Sequence, residues 1–144
     1  MAHEFRMRRL VEFADTDMAG ILHFANYFRY MEAVEHAFFR SLGLRVHEHA
    51  EDGVWGFVRV HAECTYERPL RYEDEVELHL VVREKRAKSL EYAIAFQLEG
   101  ADGPYTAARG SLTTVCVGRS DDGSLRAIPI PAAVETRVEV APDR

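Results

Sequence analysis

From Phe13 to Tyr27 the chain runs Phe-Ala-Asp-Thr-Asp-Met-Ala-Gly-Ile-Leu-His-Phe-Ala-Asn-Tyr. Two acids, Asp15 and Asp17, come first. Gly20 and His23 follow, and a run that reads as a helix begins at Asn26. An aspartate is ionised at neutral pH unless its surroundings perturb it strongly. It can then attack a carbonyl carbon or draw a proton from water. A helix start presents N–H groups with no intrahelical acceptor, at the positive end of the helix dipole. Donors placed there stabilise a developing oxyanion. A carboxylate beside such donors supplies the two parts that hydrolysis of a thioester needs. The residues alone do not decide the matter, because an Asp ahead of a helix is also an ordinary cap or loop residue.

The loop must be held by what flanks it. Five segments alternate with the period of a strand, near residues 4–13, 54–66, 75–85, 90–99 and 105–117. The expected inward faces are Phe5, Met7, Val11 and Phe13 in the first and Val54, Val58, Val60, Ala62 and Cys64 in the second. In the third they are Val76, Leu78, Leu80 and Val82, and in the fourth Leu90, Tyr92, Ile94, Phe96 and Leu98. The links between the last three are too short for a crossover helix, so these strands must be antiparallel. One long helix is expected near residues 26–42, ending before Gly43, with Tyr27, Tyr30, Met31, Val34, Phe38 and Leu42 at helical spacing. It is apolar on so much of its circumference that it must be wrapped. The expectation is an α+β domain: one long central helix and a curved antiparallel sheet of about five strands. Residues 131–144 are ambiguous, with fraying expected at the end.

Bulk properties narrow the function class. The 144 residues carry a net charge of −6 and are 47% apolar and 29% charged. They fit one soluble domain over residues 1–144. No basic stripe suggests nucleic acid. No apolar run approaches the roughly 18 residues of a membrane span, and the first residues lack a signal-peptide core. Cys64 and Cys116 read as reduced thiols of a cytoplasmic protein. His47 and His49 flank Glu48 at a spacing that suits metal ligands, but no third ligand is in view, so they read as a solvated loop and no metal is expected.

The loop resembles that of the 4-hydroxybenzoyl-CoA thioesterase class of the hotdog superfamily. The pattern is Asp-x-Asp-x-x-Gly-Ile followed by Asn-Tyr at the helix start, here Asp15, Asp17, Gly20, Ile21, Asn26 and Tyr27. The segments from Cys64 to Asp74, Arg86 to Leu90 and Leu125 to Pro129 extend the resemblance along the chain. It implies a hotdog fold and hydrolysis of an acyl- or aroyl-CoA thioester, with Asp17 as the catalytic carboxylate and Asp15 ordering the loop. It implies that the N–H of Phe24 holds the oxyanion and that Asn26 and Tyr27 shape the helix start. His23 is a departure, since many relatives carry an aromatic there; it is retained as a third catalytic candidate. Arg86, Lys88, Ser89 and Arg126 are the implied contacts to coenzyme A phosphates, with Lys85 a weaker one. Coenzyme A enters as part of the substrate, and no other cofactor is implied. Sites in this class lie between subunits, so a homodimer is expected, with pairing into a homotetramer as a further step. Two rivals stay open: a non-hydrolytic acyl-thioester binding module, and a hotdog enoyl-CoA hydratase. Phe24, Tyr27 and Trp55 are aromatic residues that suit an aromatic acyl group or an ordinary core equally well.

Overall fold

A computed structural model of the protein describes residues 1–50 and 53–143. The elements in chain order are β1 (Glu4–Leu10), a 3₁₀ turn (Phe13–Asp15), α1 (Asn26–Ser41), β2 (His47–Ala50), β3 (Gly53–Tyr66), β4 (Glu75–Lys85), β5 (Ser89–Gly100), β6 (Gly103–Arg119), β7 (Leu125–Ala127) and α2 (Ala132–Glu135). The strands form one sheet in the order β1-β4-β5-β6-β3-β2, with β7 added to the end of β6, and every strand pair is antiparallel.

Strict alternation does what the sequence requires in the middle strands. Val76, Leu78, Leu80 and Val82 of β4 are buried, as are Leu90, Tyr92, Ile94, Phe96 and Leu98 of β5. Helix α1 lays Tyr27, Tyr30, Met31, Val34, Phe38 and Phe39 into this core. Its direction across the sheet follows from ring contacts. Near its start, Tyr27 lies 5.2 Å from Phe96 and 4.7 Å from Tyr66. Near its end, Phe38 lies 6.4 Å from Tyr92 and Phe39 lies 5.5 Å from Phe57. The helix stops in a Schellman turn: Gly43 takes φ +75°, its N–H reaches Arg40 O at 3.0 Å, and Leu44 N–H reaches Phe39 O at 2.9 Å.

Helix and sheet approach closely over Gly110. A Cβ there would sit 2.3 Å from Met31 Sδ and 3.1 Å from the Glu63 carbonyl. Gly110→Ala is therefore expected to cost about 1–3 kcal/mol by overpacking. Urea unfolding checks this through a lower midpoint at unchanged slope; an unchanged midpoint would show that the helix yields freely.

Several expectations need correction. Among the described residues the sheet has seven strands where about five were expected. The segment read as a solvated loop around His47 and His49 is β2, and residues 125–127 form β7. Both strands are short and polar, so neither shows the alternation that marks a strand. The first strand ends at Leu10, and Phe13 is 76% exposed on the 3₁₀ turn instead of facing inward. In β3 the expected inward face is inverted over the first half. Trp55 and Phe57 are buried, while Val58 and Val60 are exposed. The cause is a β-bulge between Arg59 and His61, where the pairing to β6 slips by one residue. Past the bulge, Cys64 packs against the core as expected, whereas Ala62 is exposed. Of the ambiguous closing segment, residues 132–135 form α2, with Val134 and Val138 buried. Its last residue lies outside the described residues.

One edge stays open. Strand β2 covers β3 only from Gly53 to Gly56. Beyond Phe57, β3 is flanked by β6 on one side and by no other strand among the described residues.

Candidate active site

The loop between the 3₁₀ turn and α1 is a small antiparallel hairpin. Thr16 bridges Leu22. The Asp17 N–H reaches Ile21 O at 2.9 Å, and the Gly20 N–H reaches Asp17 O at 3.0 Å. Gly20 has φ +77°, a left-handed conformation that glycine adopts without strain. The hairpin is docked on the chain before β4, where Ile21 bridges Arg71 and Leu22 N–H reaches Leu70 O at 2.7 Å.

This geometry orients Asp17. Its Oδ1 accepts the Ala19 N–H at 2.8 Å and sits 3.5 Å from the Ile21 nitrogen. Oδ2 takes no hydrogen bond from the described residues. Asp17 lines an open depression of about 720 Å³ together with Phe13, Thr16, Met18, Gly20 and Tyr72. Much of its lining is exposed and apolar: Phe13, Met18 and Tyr72 are all solvent-facing, as is Phe24 further along the loop.

The returning arm of the hairpin carries the helix start. Among its main-chain donors, the His23 N–H reaches Asp15 O at 3.0 Å and the Asn26 N–H reaches His23 O at 2.8 Å. The Ala25 N–H reaches His23 Nδ1 at 3.1 Å. The Phe24 N–H, between them, has no acceptor among the described residues. The Phe24 carbonyl is held from the other side by Tyr66 O–H at 3.1 Å. Because Nδ1 of His23 is occupied as an acceptor, a neutral ring carries its proton on Nε2. The His23 ring stacks on Phe24 at 4.6 Å.

Asn26 and Tyr27 play supporting parts in this arrangement. Asn26 Nδ2 donates to Asp15 O at 2.8 Å. Tyr27 is 3% exposed and packs between Tyr66 and Phe96, and burial raises its phenol above the ordinary value. Trp55 lies at the far end of β3 against Phe57, away from the hairpin. Tyr30 and Tyr66 also contact the loop. The sequence alone places Tyr30 in the core and Tyr66 at the end of a strand. Tyr30 was detectable as the residue one helical turn after Asn26; nothing local marks Tyr66.

The four residues expected to meet phosphates gather elsewhere. Arg86 and Lys88 lie on the β4–β5 turn and Ser89 opens β5. Arg126 lies on β7. The end of β6 joins them: the Cys116 N–H reaches Lys88 O at 2.7 Å, and the Ile128 N–H reaches Cys116 O at 2.9 Å. Arg86 pairs with Glu84, whereas Lys88 and Arg126 have no acidic partner among the described residues. Lys85 is spent on the C-terminal segment, bonding Val138 O at 2.8 Å and Glu135 Oε1 at 3.0 Å. This group and the hairpin lie at opposite ends of β5. From Leu90 to Phe96 alone the strand spans about 20 Å. Within one protomer the two groups do not meet.

An antiparallel sheet holding one long helix, with a carboxylate on the hairpin ahead of it, defines a thioesterase-type domain. The chain belongs to the thioesterase-like superfamily, whose pattern matches residues 11–138. Its relatives narrow the class. The 4-hydroxybenzoyl-CoA thioesterase of Pseudomonas sp. (strain CBS-3) is 27% identical over 136 residues, covering 92% of this chain and 95% of that one. An Aquifex aeolicus protein, provisionally named an esterase, is 41% identical over 80 residues; the match spans 56% of this chain and 62% of that relative's length. The structure of a gentisyl-coenzyme A thioesterase superposes with a TM-score of 0.77 at 30% identity, covering 91% of this chain and 99% of that one. The family expected from the loop is the family found, and these relatives support thioester hydrolysis. No helix among the described residues is long and apolar enough to cross a membrane.

Proposed function

We propose that this chain hydrolyses an acyl- or aroyl-CoA thioester to the free acid and coenzyme A. The Asp17 carboxylate is the nucleophile or general base, and the Phe24 N–H receives the oxyanion. The observation that supports this reading is that one short loop carries two unused groups, Asp17 Oδ2 and the Phe24 N–H. The Asp17 depression is open and has room for water, which supports an enzyme over a binding module. His23 keeps an N–H on Nε2 that can donate a hydrogen bond to charge on the leaving thiolate.

The acyl group we favour is aromatic. Two relatives of known substrate act on 4-hydroxybenzoyl- and gentisyl-coenzyme A, and the exposed rings of Phe13, Phe24 and Tyr72 suit a planar acyl group. Lys88, Arg126, Arg86 and Ser89 bind the coenzyme A phosphates, while Asn26 and Tyr27 shape the helix start. The protein works in the cytoplasm as a homodimer built on the open edge of β3, and dimers pair into a homotetramer. The edge supports this reading because Tyr66, its last residue, holds the Phe24 carbonyl. A second copy docked along it stands beside the Asp17 depression and covers exposed Val58 and Val60.

A panel of aroyl-, alkanoyl- and enoyl-CoA thioesters, read by release of thiol, tests the proposal. Hydrolysis of at least one aroyl-CoA is expected. Lys88→Ala and Arg126→Ala are each expected to raise KM by about two- to fivefold, the worth of an exposed ion pair. Hydration of enoyl-CoA without thiol release, or no turnover of any thioester, would overturn it.

A further inference from the structure

Asp15 stands two residues before Asp17 and accepts four hydrogen bonds. Its Oδ2 takes the Tyr30 O–H at 2.7 Å and the Glu12 N–H at 3.2 Å. Its main-chain carbonyl takes the His23 N–H at 3.0 Å and Asn26 Nδ2 at 2.8 Å. The arm that carries Asp17 and the arm that ends at Phe24 are thus tied at one residue. Asn26 and Tyr30 are four apart on α1 and share a face. The tie therefore grips two successive helical turns. Tyr30 is 1% exposed, and the Arg9 guanidinium lies 4.4 Å from its ring centroid. Burial first, and Asp15 second, hold its phenol well above the ordinary tyrosine value, so it remains a donor in neutral solution. It does not line the Asp17 depression.

We infer that Tyr30 is a positioning residue for hydrolysis: its O–H, acting through the Asp15 carboxylate, sets the separation between Asp17 Oδ2 and the Phe24 N–H. This rests on the reading of Asp17 as the attacking group. The physical need is geometric. A reacting carbon must meet the carboxylate while its oxygen meets the donor, and displacement by an ångström is enough to slow such a step. The tip of the hairpin stands in solvent, with Met18 fully exposed, and its hydrogen bonds at Asp17 run within the hairpin itself. The fixed point must therefore lie at the base, where Asp15 is.

Tyr30→Phe removes one oxygen and keeps the ring in place. Steady-state kinetics on the full chain, with the thioester that wild type hydrolyses best, are expected to show kcat about tenfold lower and KM within about twofold. Asp15→Asn is expected to move kcat in the same direction. The double variant should fall no further than Asp15→Asn alone, because the tyrosine acts only through that carboxylate. Wild-type kcat in Tyr30→Phe, an effect carried wholly by KM, or additive losses in the double variant would each overturn the inference. Asp17→Asn run beside them separates the two readings. If it turns over like wild type, the assignment of Asp17 fails. If it is inactive while Tyr30→Phe matches wild type, only the positioning role fails.

Discussion

Asp17→Asn is expected to lower kcat for thioester hydrolysis by about 10²-fold or more, the scale of losing a nucleophile or general base. KM is expected to stay within about threefold, because the change removes an interaction of the transition state and not of the bound substrate. The substitution is sharp because the geometry fixes how the amide must sit. Oδ1 accepts the Ala19 N–H at 2.8 Å. An asparagine retains that bond only with its oxygen toward Ala19, which turns Nδ2 toward the depression in place of the free carboxylate oxygen. The hairpin survives and the reactive lone pairs are lost. An amide nitrogen neither attacks a thioester nor takes a proton from water at neutral pH. Thiol release under substrate saturation checks the result. Near-wild-type turnover in the variant would remove Asp17 from the mechanism.

The second large effect concerns stability and sits on the same helix. Glu35 is fully buried on α1, and its one charged hydrogen-bond partner among the described residues is Arg59 on β3. Oε2 has no partner among the described residues. Burial pushes its carboxyl from 4.5 to about 7; Arg59 pulls the other way and Glu32 adds to the rise. The ion pair does not prevail because a single half-exposed guanidinium returns less than the carboxylate loses on leaving water. The shift corresponds to about 3 kcal/mol. The folded carboxyl has the higher pKa, so the folded state holds the proton more tightly. Its contribution is fully present below pH 4.5 and is lost as pH rises through 7. His36 works in the opposite direction, since burial lowers its pKa, so the comparison must be made against a variant. Urea unfolding of wild type and Glu35→Gln at about pH 5 and about pH 8 is expected to show wild type losing about 2–3 kcal/mol relative to the variant over that interval. Parallel pH dependence in the two proteins would mean that Glu35 is not the group responsible.

What could be read from residue types alone was whatever is local. The apolar residues Val76 to Val82 of β4 and Leu90 to Leu98 of β5 recur at every second position and are all buried, so they were legible. The hairpin was legible because Asp15, Asp17, Gly20 and the helix start lie within a dozen positions of one another, and their order implies their proximity. Strands β2 and β7 were not, because a four-residue strand containing His47, Glu48 and His49 has no apolar face to reveal it. The site was half legible. Asp17 and the Phe24 N–H follow from the loop, but the contact of Tyr66 with Phe24 spans 42 positions and exists only because the sheet brings β3 under the helix start. The separation of Lys88 and Arg126 from Asp17 was equally hidden, since it depends on which end of β5 each lies near.

The bulge in β3 gives that strand two phases. Ahead of Val60 the odd-numbered side chains, Trp55 and Phe57, fill the core beneath the end of α1. After it, even-numbered Cys64 and Tyr66 take the inward side and reach the helix start. The extra residue at the bulge is what lets both runs face the helix; side chains alternate with period two, so removing one residue from the regular run between His61 and Tyr66 would turn Tyr66 to the other face. Tyr66 would swing outward and release the Phe24 carbonyl. The length of the run from His61 to Tyr66, counted to the residue, is thus what keeps Tyr66 under the loop, and a change there would free the Phe24 carbonyl without altering any residue of the loop.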